Sequence, residues 1–279
     1  RSKGKQLPDQ LMFVQFPHRG VEHSARGAMM PWNTGPHARK FMQAQGQYLS
    51  GGRLLSGAFA FWGEWEPPSA VLTEWHRPAD GRPRFLHAPT MQVPAPNAWR
   101  QNTDPLVFGN QFHYSNCRQR RNKKLRALAP GSLILFGSKV KGAFVLDTVF
   151  VVGSSRRYSI KDLDRSHYSN EVLDAVLDPL QSDPNVGSAN LRLYESVSYS
   201  PSVETPFSYV PCRPVGLESE GFSRPRIQLP SKWMNPSLSM AARATVATKD
   251  ELSDIWNSVT QQVTEDNKLD LGVQLKWPF

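Results

Sequence analysis

Residues 117 to 126 read Cys-Arg-Gln-Arg-Arg-Asn-Lys-Lys-Leu-Arg. Arg118, Arg120, Arg121, Lys123, Lys124 and Arg126 fall within nine residues, with no acid among them. Cations packed this tightly cannot all be paired internally. They make a local positive field suited to phosphate contacts, with affinity that falls steeply as salt rises. The competing reading is a solvated charged loop between two structured segments. Directly before the run stands Phe-Gly-Asn-Gln-Phe-His-Tyr-Ser-Asn, residues 108 to 116. Phe108, Phe112, His113 and Tyr114 offer flat faces for stacking on exposed bases, and Asn110, Gln111 and Asn116 offer donor–acceptor pairs for base edges. Core packing of an ordinary strand explains the phenylalanines equally well.

A second aromatic group, Phe-Trp-Gly-Glu-Trp-Glu-Pro-Pro-Ser, places Trp62 and Trp65 on either side of Gly63-Glu64. Two indoles and a carboxylate can line a pocket for a flat or cationic group. Glu64 or Glu66 can accept from an exocyclic amine or act as a general acid or base. Against this stands a core role for both tryptophans, with the glutamates solvated. His18, Glu22, His23 and His37 form a loose group whose spacing matches no metal-ligand signature, so no metal is expected. Cys117 as a nucleophile with His113 four residues before it has no further support in the sequence. Walker loops, dinucleotide fingerprints and nucleophile elbows are lacking, and no cofactor is expected.

The chain has 279 residues and a formal net charge of +9, with a sequence pI of about 9.7. That balance biases a protein towards polyanions. Two cysteines, Cys117 and Cys212, fit a reducing cytoplasm better than a disulfide framework. No apolar run approaches the ~20 residues that span a bilayer, and no signal-peptide core opens the chain. A cytoplasmic protein with no membrane partner is expected.

These residues need elements to position them. Segments 11–16, 57–62, 70–75, 132–136, 143–152 and 191–199 read as strands. Residues 139–142 join two of them as a hairpin. The runs 132–136 and 143–152 are apolar enough to be buried on both faces. Helices are expected over 33–46, capped by Asn33 or Thr34 and ended by Gly46; over 168–180; and over 249–263, where Thr248 and Glu251 form a capping-box pattern. Residues 76–105 read as a long ordered loop, 200–240 as loop-rich, and 153–167 as a hinge between two lobes.

The segment 128–153, Leu-Ala-Pro-Gly-Ser-Leu-Ile-Leu-Phe through Ala-Phe-Val-Leu-Asp-Thr-Val-Phe-Val-Val-Gly, resembles the central hairpin of the PUA-like superfamily (ASCH, EVE and YTH domains). There a Pro-Gly turn, here Pro130-Gly131, precedes a strand, a small-residue loop and a long Val-rich strand. Ser132 stands where the family usually has an acid. The resemblance implies an α+β fold: a partly open mixed β-barrel with peripheral helices, here with long loop insertions. One large domain over 1–279 is expected, with room for a second lobe over 168–279. Members mostly bind RNA or modified bases, and a minority hydrolyse modified nucleosides or cut RNA.

The leading expectation is a nucleic-acid-binding protein, a reader of modified bases in DNA or RNA. The basic run holds the backbone, Trp62 and Trp65 or Phe112 and Tyr114 sandwich a base, and Glu64 or Asn116 reads its edge. The alternative is an enzyme acting on a nucleotide or nucleic acid, with Glu64, His23 and Glu22 as catalytic candidates. A third class is a scaffold whose basic surface meets an acidic protein. No oligomeric state is implied.

Overall fold

Short β-branched and aromatic runs broken by Pro and Gly favour strands over helices. The computed structural model, which describes residues 7–22, 39–76, 79, 81–91, 103–181, 190–216 and 221–278, contains two six-stranded sheets and two principal helices. The first sheet has β1 (Met12–Arg19), β6 (His113–Tyr114), β7 (Leu133–Val140), β8 (Ala143–Tyr158), β9 (Leu191–Ser196) and β11 (Arg243–Val246). Their order is β11-β1-β7-β8-β9-β6, with β1 and β7 parallel. The second has β2 (Arg39–Ser50), β3 (Arg53–Glu64), β4 (Ser69–Glu74), β5 (Phe85–Pro89), β10 (Val210–Pro214) and β12 (Asp270–Leu275), ordered β12-β10-β3-β2-β5-β4. Strand β12 also pairs with β2, closing β2, β3, β10 and β12 into a ring. The α+β class holds.

β1 and β7 are apolar on both faces because each face meets a different cluster. Met12, Val14 and Phe16 pack with Phe59 and Phe61 of β3. Phe13, Leu133 and Leu135 pack with Leu252, Ile255 and Val259 of the C-terminal helix (Lys249–Gln261). That helix begins with the expected capping box, Thr248 and Glu251 bonding reciprocally. The middle helix runs through Asn170–Val172, a π turn at Leu173–Leu177 and Asp178–Gln181, capped by Ser169.

Several expectations are corrected. The helix over 33–46 is overridden from residue 39 onward, where β2 pairs with β3 along its whole length, from Arg39↔Glu64 to Ser50↔Arg53. Twelve residues of ladder outweigh a weak cap signal; residues 33–38 lie outside the described residues. The loop 76–105 contains β5, and 200–240 contains β10. Residues 153–158 are no hinge: β8 continues through them, paired with β9. Nor do the strands after residue 168 form a sheet of their own. β9 and β11 complete the first sheet, and β10 and β12 the second. Both cysteines are free, and no described helix is long and apolar enough to cross a membrane.

Candidate functional site

The strand pairing brings together charged side chains that are far apart in sequence. Register in β8 slips between Phe136↔Thr148 and Gly137↔Leu146, leaving Asp147 as the extra residue of a β-bulge. A bulge re-aims its unpaired residue and sharpens the local twist. Here it turns a carboxylate out of the apolar alternation of 143–152 and into the protein, where Asp147 is buried. Gly137 opposite is obligatory, since a Cβ there would stand 2.1 Å from the Val145 carbonyl oxygen.

Asp147 belongs to a buried ionic chain. Arg39 at the start of β2 places Nη1 2.7 Å from Glu64 Oε2 and Nε 3.0 Å from Asp147 Oδ2. Arg224 lies 3.7 Å from Asp147 Oδ1; its Nη2 donates to the Gly20 carbonyl at 2.6 Å and its Nη1 to Ser138 Oγ at 3.1 Å. Its guanidinium stands over the Trp62 ring at 5.0 Å. At the other end, His18 Nε2 is 3.6 Å from Glu64 Oε2 and 3.5 Å from Cys117 Sγ. The order is Cys117, His18, Glu64, Arg39, Asp147, Arg224, drawn from both sheets and two loops.

Burial alone disfavours every charge in this chain. It opposes the Arg39 guanidinium, but Glu64 and Asp147 outweigh it and hold that group above its usual pKa. Burial raises Asp147, with Arg224 and Arg39 opposing. It also lowers Arg224, with Asp147 opposing. Two guanidinium and two carboxylate groups thus balance each other. Arg39 Nη2 is buried with no hydrogen-bond partner among the described residues.

Asp104 holds the loop that carries Cys117. Its carboxylate accepts from the backbone N–H of Ser115, Asn116 and Cys117 at 2.8, 3.0 and 2.6 Å. Burial still pushes its pKa up to about 6, because it outweighs those three donors. Burial, with Asp104 and Glu64 nearby, holds the Cys117 thiol well above its usual pKa, so the sulfur is protonated at neutral pH. A neutral thiol beside an imidazole is suited to proton transfer before it is suited to attack.

The basic run follows Cys117 directly. It is folded: Asn122 N–H donates to the Arg118 carbonyl, and a 3-10 turn spans Lys123–Arg126 with Asn122 as its cap. Leu125 anchors the turn in the core, while Arg120, Arg121, Lys123 and Lys124 are exposed. Lys124 Nζ and Arg126 Nη1 donate to the carbonyls of Ala244 and Asn190. Among the described residues no carboxylate pairs with any of the six cations.

The proposed base-stacking residues are elsewhere. Trp62, Trp65, Phe112 and Tyr114 are 3%, 1%, 2% and 0% exposed, so none presents a free ring face. The Trp62 indole donates to the Phe222 carbonyl and that of Trp65 to the Pro68 carbonyl. Tyr114 stacks on Tyr194 at 5.7 Å and donates to the Cys117 carbonyl. Asn116 donates to Ser115 Oγ inside the loop. Glu22 accepts from the backbone N–H of Arg84 and Phe85, which makes it a clamp on the start of β5. His23 and His37 lie outside the described residues. Cys117 meets His18, not His113. Among the described residues no group of His, Cys, Asp or Glu could hold a metal.

Sequence reasoning passed over Arg39, Asp104, Asp147 and Arg224. One signal was available: Asp147 is the single acid in the apolar run 143–152. The other three sit in polar surroundings that give no hint of burial. Compared with described protein families, curated proteins and solved structures, the chain shows no match.

Proposed function

We propose that this chain binds nucleic acid, DNA or RNA, through the turn at residues 118–126. The observation that carries this is the state of the six cations: they stand on an ordered turn, anchored by Leu125, with no carboxylate partner among the described residues. A preorganised cluster of cations contacts phosphates without first paying to order a loop. The frame we propose is PUA-like: the hairpin that carries the resemblance is β7 and β8, in the mixed sheet beside the ring of β2, β3, β10 and β12. Two free thiols fit a cytoplasmic setting. The test is fluorescence anisotropy with single-stranded and duplex oligonucleotides at low salt. Reversal of Arg120, Arg121, Lys123 and Lys124 to Glu is expected to weaken binding by about 100-fold or more. Unchanged binding overturns the proposal.

A second reading, an enzyme acting on the bound nucleic acid or a nucleotide, is favoured by one arrangement. His18 lies between Cys117 and Glu64, at the buried end of the loop that carries the cations. In this reading His18 moves the proton and Glu64 supports the imidazolium. Mass spectrometry of oligonucleotides and nucleotides incubated with the protein reads out turnover. His18→Gln is then expected to abolish turnover and spare binding; an absence of any product removes this reading.

A further inference from the structure

Strands β6 and β9 pair as His113↔Glu195 and Tyr114↔Tyr194. Side chains alternate along a strand, so His113 and Glu195 share one face while the two tyrosines share the other. The tyrosine face is core. The His113 face opens into a cavity of about 510 Å³, walled by the start of the middle helix, at Tyr168 and Glu171, and by Trp277 after β12.

The walls are tied in place. Gly109 N–H donates to the Leu275 carbonyl at 2.7 Å, and Gln274 Nε2 donates to Asn110 Oδ1 at 2.9 Å. A Cβ on Gly109 would lie 3.1 Å from the Trp277 indole nitrogen, so the bare backbone lets that ring close over the cavity. His113 stands at the cavity wall, 8% exposed. Burial pushes its pKa down to about 4, so at neutral pH the ring is uncharged and offers one donor and one acceptor.

The lining chooses among ligands. Glu171 and Glu195 are offset by Lys276 and His167, so the lining favours no simple anion or cation, and the amides of Asn110 and Gln111 suit a ligand with a polar edge. Carboxylates, amides and a neutral imidazole between two aromatic walls match a flat ring with N–H donors and acceptors on its edge.

We propose that this cavity binds a nucleobase or free nucleoside, its ring against Trp277 and Tyr168 and its polar edge on His113 and Glu195. The choice of a base as that ring rests on the nucleic-acid reading; the cavity stands on other residues. The basic turn lies on the opposite face of β9, where Tyr194 Oη donates to the Leu125 carbonyl.

Isothermal titration of the full chain with adenosine, guanosine, cytidine and uridine tests this. Saturable binding of at least one nucleoside is expected, with Kd of about 1 mM or tighter. Glu195→Gln and His113→Gln should each weaken it about tenfold, the loss of one good polar contact. Gln111 is exposed, so Gln111→Ala provides a lining variant that folds. The fourfold reversal on the basic turn should leave nucleoside affinity unchanged. No saturable binding of any of the four overturns this proposal alone, even if oligonucleotides still bind the turn. Binding that is unaltered in all three lining variants also overturns it.

Discussion

Arg39 Nε lies 3.0 Å from Asp147 Oδ2, an ion pair that crosses from β2 of one sheet to β8 of the other with both side chains buried. It joins the sheets at a point where a purely apolar contact would have served stability as well or better. Its surroundings point to a positional role: Glu64 on the same guanidinium also lies 3.6 Å from His18.

Removing either partner leaves an uncompensated buried charge. Arg39→Met and Asp147→Asn are each expected to destabilise the protein by about 3–5 kcal/mol in urea unfolding. The double variant should lose less than the sum of the two, since the residues share one network. Additive losses would show that the pair is not coupled.

The bulge that presents Asp147 depends on Gly137. Gly137→Ala would bring a methyl to 2.1 Å from the Val145 carbonyl oxygen, so backbone must move. A loss of about 1–3 kcal/mol or more is expected, with amide shift changes centred on 145–148 in NMR spectra. A neutral substitution would mean that the register slip is not required.

Two buried groups give opposed pH dependences. Asp104 titrates at about 6 when folded against a usual 3.8, so the folded state binds the extra proton and stability falls as pH rises between those values. His113 titrates at about 4 against a usual 6.5, so the folded state refuses the proton and stability rises across that window. Each is worth about 3 kcal/mol at most, and the two largely cancel. Wild type is therefore expected to gain about 3 kcal/mol over His113→Gln between pH 4 and 6.5, read from urea midpoints. Carbon-detected NMR should place the Asp104 midpoint near 6.

Binding at the basic turn should carry the salt signature of phosphate contacts. The slope of log K against log salt is expected to fall by about one for each of Arg120, Arg121, Lys123 or Lys124 changed to Ala. A slope that does not respond would assign the affinity to other residues.

Much of the fold was legible because its signals are local. The hairpin of β7 and β8, the capping box at Thr248 and the apolar stripe of the C-terminal helix follow from residues within one or two turns of each other. β2 was misread because its partner strand, not its own propensity, fixes it. β10 and β12 are five and six residues long and are held by the ring they close. The site was less legible still. Aromatic residues beside cations look the same whether a ring faces solvent or core, and here Phe112 and Tyr114 face the core while the cations do not.

By itself the sequence determined the charge, the β-rich centre and the position of the basic run, all properties of composition and short-range pattern. Only the tertiary structure decided that His18, Arg39, Glu64, Asp104, Cys117, Asp147 and Arg224 form one buried network. Those seven residues come from segments up to 206 positions apart (224 − 18). Their proximity depends on sheet register and on one bulge, and their charge states depend on a burial that no short window of residues encodes.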